Sequence, residues 1–500
     1  MAKRRRRSSG ISVEDKSGPS FISTGASWSP LSLPNINNIA QAAFDILTKI
    51  GVSDAPEILI SAIENNGGVI KKGRLLYPEG LLLDTIQNGP KNVLLAGQIN
   101  NHDMHISTSK VYTGTGGASP NIFDAGTQNY KPSCLKDLYS AARLANVLPH
   151  IQFFSRSLVA RDIEDPKDFD LSTAVVSLLG TSKHVIVAAS DAKHISDIAN
   201  LCYEIAGSEE KFRKRPFLSI HANHITPPLR IHGETFHVIK TAVNSGIPVH
   251  CNIFGQVGAS SPVTLAGSVA QTLAEVLAGM AFIHTISSEA PRIAGPRPMI
   301  TDLRTGGMAG GAGEQAMATS MAVQVLQHWQ LPCSVIAGAT DSKLVDFQSG
   351  YEKALTIQSS FQAGANLITQ AAGTQASLMG VGFGAMVADN DMLGAIQKAN
   401  VIPQVDKNTL ALDAIDEVVK GEGHFLGRPE TYERMRSDFL YPELADRSSL
   451  EDWKASDRLS MAQKAEERAK ELLHIHWPNH GPAEFRKKYT EKYRLPQKPG

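Results

Sequence analysis

Cysteine is scarce in this chain and poorly placed for chemistry. The four residues Cys134, Cys202, Cys251 and Cys333 lie far apart with no Cys-x-x-Cys spacing. That argues against a disulfide scaffold or a zinc knuckle and suits a reducing compartment, so a cytoplasmic protein is expected. Excess charge of either sign is also missing. Lys plus Arg and Asp plus Glu both number 49, so bulk electrostatics favours neither nucleic acid nor a membrane surface. No apolar run reaches the ~20 residues needed to span a bilayer. The one basic run, Lys3 to Arg7, leads into Ser/Gly-rich sequence rather than the apolar segment of a secretory signal, and it reads as a solvated tail. A Gly-x-Gly-x-x-Gly turn joining a first strand to a helix is absent as well. Thr113-Gly-Thr-Gly-Gly117 precedes the first expected strand, which weakens a dinucleotide reading.

With 42% hydrophobic and 20% charged residues, the chain is an ordinary globular one, long enough for a barrel with additions. Residues 1–30 read as a basic tail and 31–95 as a helical section. In that section Asn35 to Gly51 has helical spacing, Asp54 caps a second helix, and Pro78 to Asn88 forms a third. Strand-like runs then follow at Asn121–Ala125, His150–Phe154, His184–Ala189, Phe217–Ala222, Pro248–Phe254, Arg292–Ile300, Cys333–Ala337 and Asn366–Thr369. Helical patterns separate them at 133–147, 168–180, 192–207, 233–245, 262–283, 314–329, 347–363 and 383–399. Eight β-then-α units predict an α/β protein, a (β/α)8 TIM barrel over 96–405. Residues 406–475 read as a charged helical extension, which makes a homo-oligomer one expectation, and 476–500 as a loosely held tail.

In such a fold, side chains at the carboxyl ends of strands handle substrate. His221 and Asn223 share one face of the fourth strand by parity, as site residues or as hydrogen-bonded interior ones. His250 and Cys251, with Cys333, invite a zinc site and thiol methylation, but neighbours on a strand point to opposite faces. Gln256 opens a turn leading to Pro262, whose helix start favours a carboxylate. Arg304 has two readings: it clamps a carboxylate, or it pairs with Asp302 or Glu314 as scaffold. Asp341 and Lys343 in Gly338-Ala-Thr-Asp-Ser-Lys343 are either substrate contacts or turn-formers. Tyr112, Phe153, Phe154, Phe254 and Phe383 are aromatics near strand ends; their faces suit a quaternary ammonium, which has no N–H to donate. Aromatics also serve simply as core.

The segment Ser334 to Ala354 resembles the Gly-Leu-Thr-Asp-Ser-Lys and Gln-Ala-Gly-Tyr-Glu-Lys signature of the trimethylamine methyltransferase family, whose corrinoid-dependent enzymes demethylate methylamines. Thr113 to Pro120 with Asp124, Leu135-Lys-Asp-Leu138, Ala142-Arg-Leu-Ala145, Ala259 to Gln271, Asp302-Leu-Arg-Thr-Gly306, Gly364-Ala-Asn-Leu-Ile368 and Gly423-His-Phe-Leu-Gly427 are similar to the same family. The resemblance covers roughly residues 35–455. It implies a TIM barrel that presents a methylated amine to the cobalt of a separate corrinoid protein, with no cofactor held tightly and no metal of its own. The founding members use pyrrolysine, whereas every position here is a standard residue, and Gln370 to Phe383 departs from the family pattern. A quaternary amine releases a neutral tertiary amine and needs neither protonation nor a covalent adduct, so the chain is expected to resemble the glycine betaine methyltransferase branch. Tyr112, Phe154, Phe254 and Phe383 are then expected around the ammonium, and Arg304, His221 or Gln256 at the polar end, with Asn223, Asp341 and Gln370 also lining the site. The competing readings are zinc-dependent methyl transfer through Cys251 and Cys333, and a betaine-binding protein without turnover.

Overall fold

Short apolar runs alternating with amphipathic helices build a curled parallel sheet in the computed structural model, which describes residues 28–107, 110–421 and 423–498. The strands are β1 (Tyr112–Thr113), β2 (Phe153–Ser155), β3 (His184–Val187), β4 (Leu218–Ala222), β5 (Val249–Val257), β6 (Arg292–Ile300), β7 (Ser334–Ile336) and β8 (Leu367–Thr369). Each leads to a helix: α1 (Leu135–Val147), α2 (Pro166–Gly180), α3 (Ala192–Ala206), α4 (Gly233–Asn244), α5 (Leu265–Ile286), α6 (Gly313–His328), α7 (Phe347–Ala363) and α8 (Phe383–Ala399). Strands β2 to β6 pair in parallel as one sheet, and β7, β8 and β1 as another. Single parallel bridges, Gly114 with Phe153 and Ala294 with Cys333, join the two sheets at both edges.

Local chemistry sets the helix ends. Asp165 accepts from the Asp168 N–H ahead of Pro166, and Asp346 accepts from the Ser349 N–H at 2.9 Å. Helix α7 stops at Gly364, whose φ of 90° is the left-handed conformation that glycine adopts without strain. Helix α5 is mostly apolar because both of its sides are covered. It packs on β5 and β6 and, opposite them, on the helices Leu33–Asp45 and Glu79–Gln87. By length and composition this 22-residue helix could cross a membrane, but 89% of its most apolar stretch is buried. Each of its large side chains, such as Leu273, Leu277 and Phe282, contributes roughly 1.5–3 kcal/mol by leaving water.

The amino end of the concave face is plugged. Phe153, Ile186, Ile293 and Leu367 cluster with Val93, Leu95, Met104 and Ile106 of the hairpin Val93–Leu95/Met104–Ile106.

Several expectations need correction. The first strand is Tyr112–Thr113, not Asn121–Ala125. Asn121–Asp124 instead pairs antiparallel with Asn129–Pro132 and parallel with Gly380–Val381, in a separate small sheet. The glycine-rich turn 113–117 therefore follows the first strand. Asp54 has a φ of 57° and is not a cap, since Pro56 stands at the N-cap of Glu57–Glu64. The hairpin Val69–Lys71/Arg74–Leu76 lies within the section read as helical.

Residues 403–440 form a small unit of their own, with helices Leu412–Lys420 and Pro429–Ser437 and an Arg428–Glu417 ion pair of 2.7 Å. Residues 441–498 belong with the main body. There Ser460 and Gln463 form a capping box for Met461–Ile475, which lies on α8 and α1. Arg143 of α1 donates to the Leu473 and His476 carbonyls, at 2.6 Å each, and stacks over Trp477. The last segment, expected to be loose, holds the helix Ala483–Lys492 with Phe485 and Tyr489 buried. The Lys3 to Arg7 run lies outside the described residues.

Candidate active site

Strand parity divides β5 cleanly. Cys251 and Ile253 face the helices and belong to the outer core. His250, Asn252, Phe254 and Gln256 occupy the concave face. Exposure rises along them towards the carboxyl end: His250 and Asn252 are buried, Phe254 is 38% exposed and Gln256 is exposed. The strand thus carries one face from a dry interior to an open mouth. Register with β6 sets Asn252 beside Gly295, Phe254 beside Arg297 and Gln256 beside Met299. Gly295 is needed, because a Cβ there would collide with Asn252 Oδ1.

Arg297 orders the hydrogen bonds around it. A guanidinium only donates, and its Nη2 lies 3.1 Å from Asn252 Oδ1. The Asn252 amide N–H therefore points at His221 Nδ1, to which it donates. His221 carries its proton on Nε2, which donates to Ser155 Oγ at 3.1 Å. The same logic orders a second chain. His184 Nδ1–H donates to the Ala96 carbonyl at 2.9 Å, so its Nε2 accepts from Ser219 Oγ at 2.8 Å. Ser219 Oγ in turn accepts from His250 Nε2–H at 2.9 Å, which leaves the buried His250 Nδ1 with no partner among the described residues. All three histidines are neutral. Burial, and then the Arg297 and Arg156 cations, push the His221 pKa down to about 3. Burial pushes His184 to about 4 and holds His250 well below its ordinary value.

Arg297 itself is 2% exposed. It donates to the Ser334 carbonyl (3.2 Å), Ser334 Oγ (3.3 Å) and Asn252 Oδ1 (3.1 Å), and its guanidinium lies 5.5 Å from the centre of the Phe254 ring. Burial lowers its pKa to about 9.

Of the anticipated site residues, His221, Phe254 and Gln256 come together on this face. Tyr112 lies at the plugged amino end, its hydroxyl bonded to the His105 main chain. Phe154 is fully buried among the helices, because Phe153 and Ser155 take the concave positions. Phe383 starts α8 and packs on the outer core. Asn223 lies beyond the end of β4, exposed. Arg304 is 88% exposed and held by Asp302 at 2.8 Å, so it is no interior clamp. Asp341 Oδ1 accepts from the Gly310 N–H and Ser377 Oγ, tying the loops after β6, β7 and β8 together. Buried Glu352 braces the same loop through Thr340 Oγ1 (2.6 Å) and the Asp341 N–H (2.8 Å). The Thr340–Lys343 stretch is therefore loop architecture. Gln370, just after β8, has a φ of 64° and is buried, with its Oε1 unpartnered among the described residues.

Cys251 and Cys333 are both in the outer core, and burial pushes their thiols up to about 12 and about 11. With His250 on the opposite face, the zinc reading loses its geometry. Sequence reasoning missed Arg297, Asn252, Ser155 and Ser219. The available signal was parity: an arginine inside the apolar run 293–300, on the face of Ile293 and Gly295.

A family profile described as trimethylamine methyltransferase (MTTB) matches residues 1–488. The trimethylamine methyltransferase MttB of Desulfitobacterium hafniense (strain DSM 10664 / DCB-2) is 30% identical over 401 residues, 80% of each chain. The glycine betaine methyltransferase of D. hafniense (strain Y51) is 24% identical over 439 residues, 88% of this chain and 91% of that one. Among solved structures, the Methanosarcina barkeri monomethylamine methyltransferase (MtmB) superposes with a TM-score of 0.54 at 12% identity, covering 89% of this chain and 88% of that one. At that identity the likeness concerns fold.

Proposed function

The chain belongs to the trimethylamine methyltransferase family and is a methyltransferase, and from that premise we propose that it moves a methyl group from a quaternary amine, glycine betaine or a relative, to the Co(I) of a separate corrinoid protein in the cytoplasm. The observation that carries this reading is the state of the three concave histidines. Their hydrogen bonds and burial keep them neutral, so none is charged to act as an acid towards a departing amine. A quaternary ammonium needs no acid. The methyl carbon bonds to cobalt as the C–N bond breaks, the electron pair stays on nitrogen, and a neutral tertiary amine leaves. What the protein supplies is position and exclusion of water.

We also read the curled sheet as a closed (β/α)8 barrel. The bridges at both of its edges and the side chains of β2, β3, β6 and β8 meeting in one plug support that reading. Its open end then offers the corrinoid protein a docking face. Val263, Leu303, Leu344, Phe347 and Met379 are large apolar residues, 48–87% exposed, on segments leaving the carboxyl ends of β5 to β8.

The test uses purified protein, reduced corrinoid protein and a panel of betaines, with Co(I) conversion to methyl-Co(III) followed optically. Conversion with a betaine is expected. Failure with every methylated amine tried rules the reading out, and calorimetric binding without transfer favours a non-catalytic betaine-binding protein.

A further inference from the structure

Among the described residues, Arg297 is a buried cation whose hydrogen bonds run to neutral acceptors, Ser334 O, Ser334 Oγ and Asn252 Oδ1. Of three other buried cations, one is paired with a carboxylate and two rest on neutral acceptors away from the concave face, so what sets Arg297 apart is the face it takes. Lys353 has the Asp389 carboxylate at 2.6 Å. Lys183 is wrapped by the main-chain carbonyls of Ala145, Leu148 and Ile151. Arg292, at the opposite parity on the same strand, donates to the carbonyls of Ser288, Ala290 and Thr85 and to His284, which is itself bonded to Asp84. Arg297 faces the concave side, with its Nε–H and one Nη1–H not used by these bonds. An unpaired buried charge is costly, and an anion arriving in its fork offsets that cost.

The surroundings favour such an anion. The neighbouring histidines are neutral, so the local field is that of the Arg297 and Arg156 guanidiniums. His221, joined to Arg297 through Asn252, keeps some exposed surface on the same concave face. Phe254 covers the guanidinium and is the last aromatic on β5 before the open end.

We propose that Arg297 anchors a substrate carboxylate, and that the substrate class is therefore the zwitterionic quaternary amines, carboxylate inward and methylated nitrogen outward beside Phe254. The proposal rests on the quaternary-amine reading above. It also explains orientation. The methyl groups must face the mouth to meet cobalt, and a positive interior repels the ammonium end. An ammonium without a carboxylate gains nothing at Arg297 and feels the same repulsion.

The experiment is calorimetry on the full chain with glycine betaine, choline and tetramethylammonium, which share the head group and differ in the carboxylate. Wild type should bind glycine betaine about 100-fold more tightly than choline, as the value of a buried charge pair implies. Arg297→Gln should reduce that preference to about threefold or less, and Arg297→Lys should keep part of it, with circular dichroism confirming folded variants. Equal binding of choline and glycine betaine by wild type overturns the proposal even if a variant fails to fold. Unchanged preference in a folded Arg297→Gln protein overturns it too, as does displacement of a tightly held inorganic anion as the only carboxylate effect. If none of the three binds and no methylated amine is demethylated, the quaternary-amine reading falls as well. Demethylation without carboxylate preference removes the Arg297 assignment alone.

Discussion

His184, His221 and His250 each keep a proton off one ring nitrogen because a neighbour requires a lone pair there or burial denies the charge. The consequence for stability has a definite sign. A histidine has a pKa of about 6.5 in the unfolded chain and a lower one here. Below about pH 6.5 the unfolded state therefore binds more protons, and stability is lost as pH falls, each histidine contributing about 1.4 kcal/mol per pH unit. Glu275 runs the other way. Burial raises its folded pKa to about 7, so its contribution is present at low pH and is lost as pH rises through that value. Urea midpoints measured from pH 7 to pH 4.5 should fall, and His184→Gln should flatten the slope by about one histidine's share. An unchanged slope in that variant would mean His184 is not held neutral.

At the scale of elements, β5 and β6 make the candidate site together, because parallel register sets Asn252 against Gly295 and Phe254 against Arg297. Gly295→Ala tests this pairing. Its methyl group would displace the Asn252 amide and break the bond to Arg297. Overpacking of this kind costs about 1–3 kcal/mol, and betaine affinity should fall about tenfold or more, read by thermal melting and calorimetry. Wild-type affinity in the folded variant would show that Asn252 does not position Arg297. The helices were legible in the sequence, since α7 and α8 have the bounds that their apolar spacing predicts. Strand β1 was not. Two residues carry no pattern of their own, and Tyr112–Thr113 is a strand only because Leu367 and Ile368 pair with it. Arg304 misled for a related reason: a cation at a strand end resembles a clamp until Asp302 is seen to hold it.

Across the whole molecule, the proposed function separates two tasks in space: holding the substrate on the concave face and meeting a protein partner at the mouth. Phe347, 87% exposed at the start of α7, belongs to the second task alone. Phe347→Asp should leave betaine binding and the melting temperature near wild type and raise the KM for the corrinoid protein about tenfold or more, as loss of an exposed interface aromatic does. An unchanged KM would move the docking face elsewhere. Sequence by itself determined the alternating α/β pattern, the helix bounds, the family resemblance and the expectation of a substrate needing no acid. Those properties are written in local periodicity, in contiguous motifs and in the identities of residues. Only the tertiary structure decided that Arg297, Asn252, His221 and Phe254 gather on one stretch of the concave face while Tyr112, Phe154, Phe383 and Arg304 lie elsewhere. Which face a strand residue takes, and what lies beside it, depends on register between strands far apart in the chain, and no local pattern encodes that register.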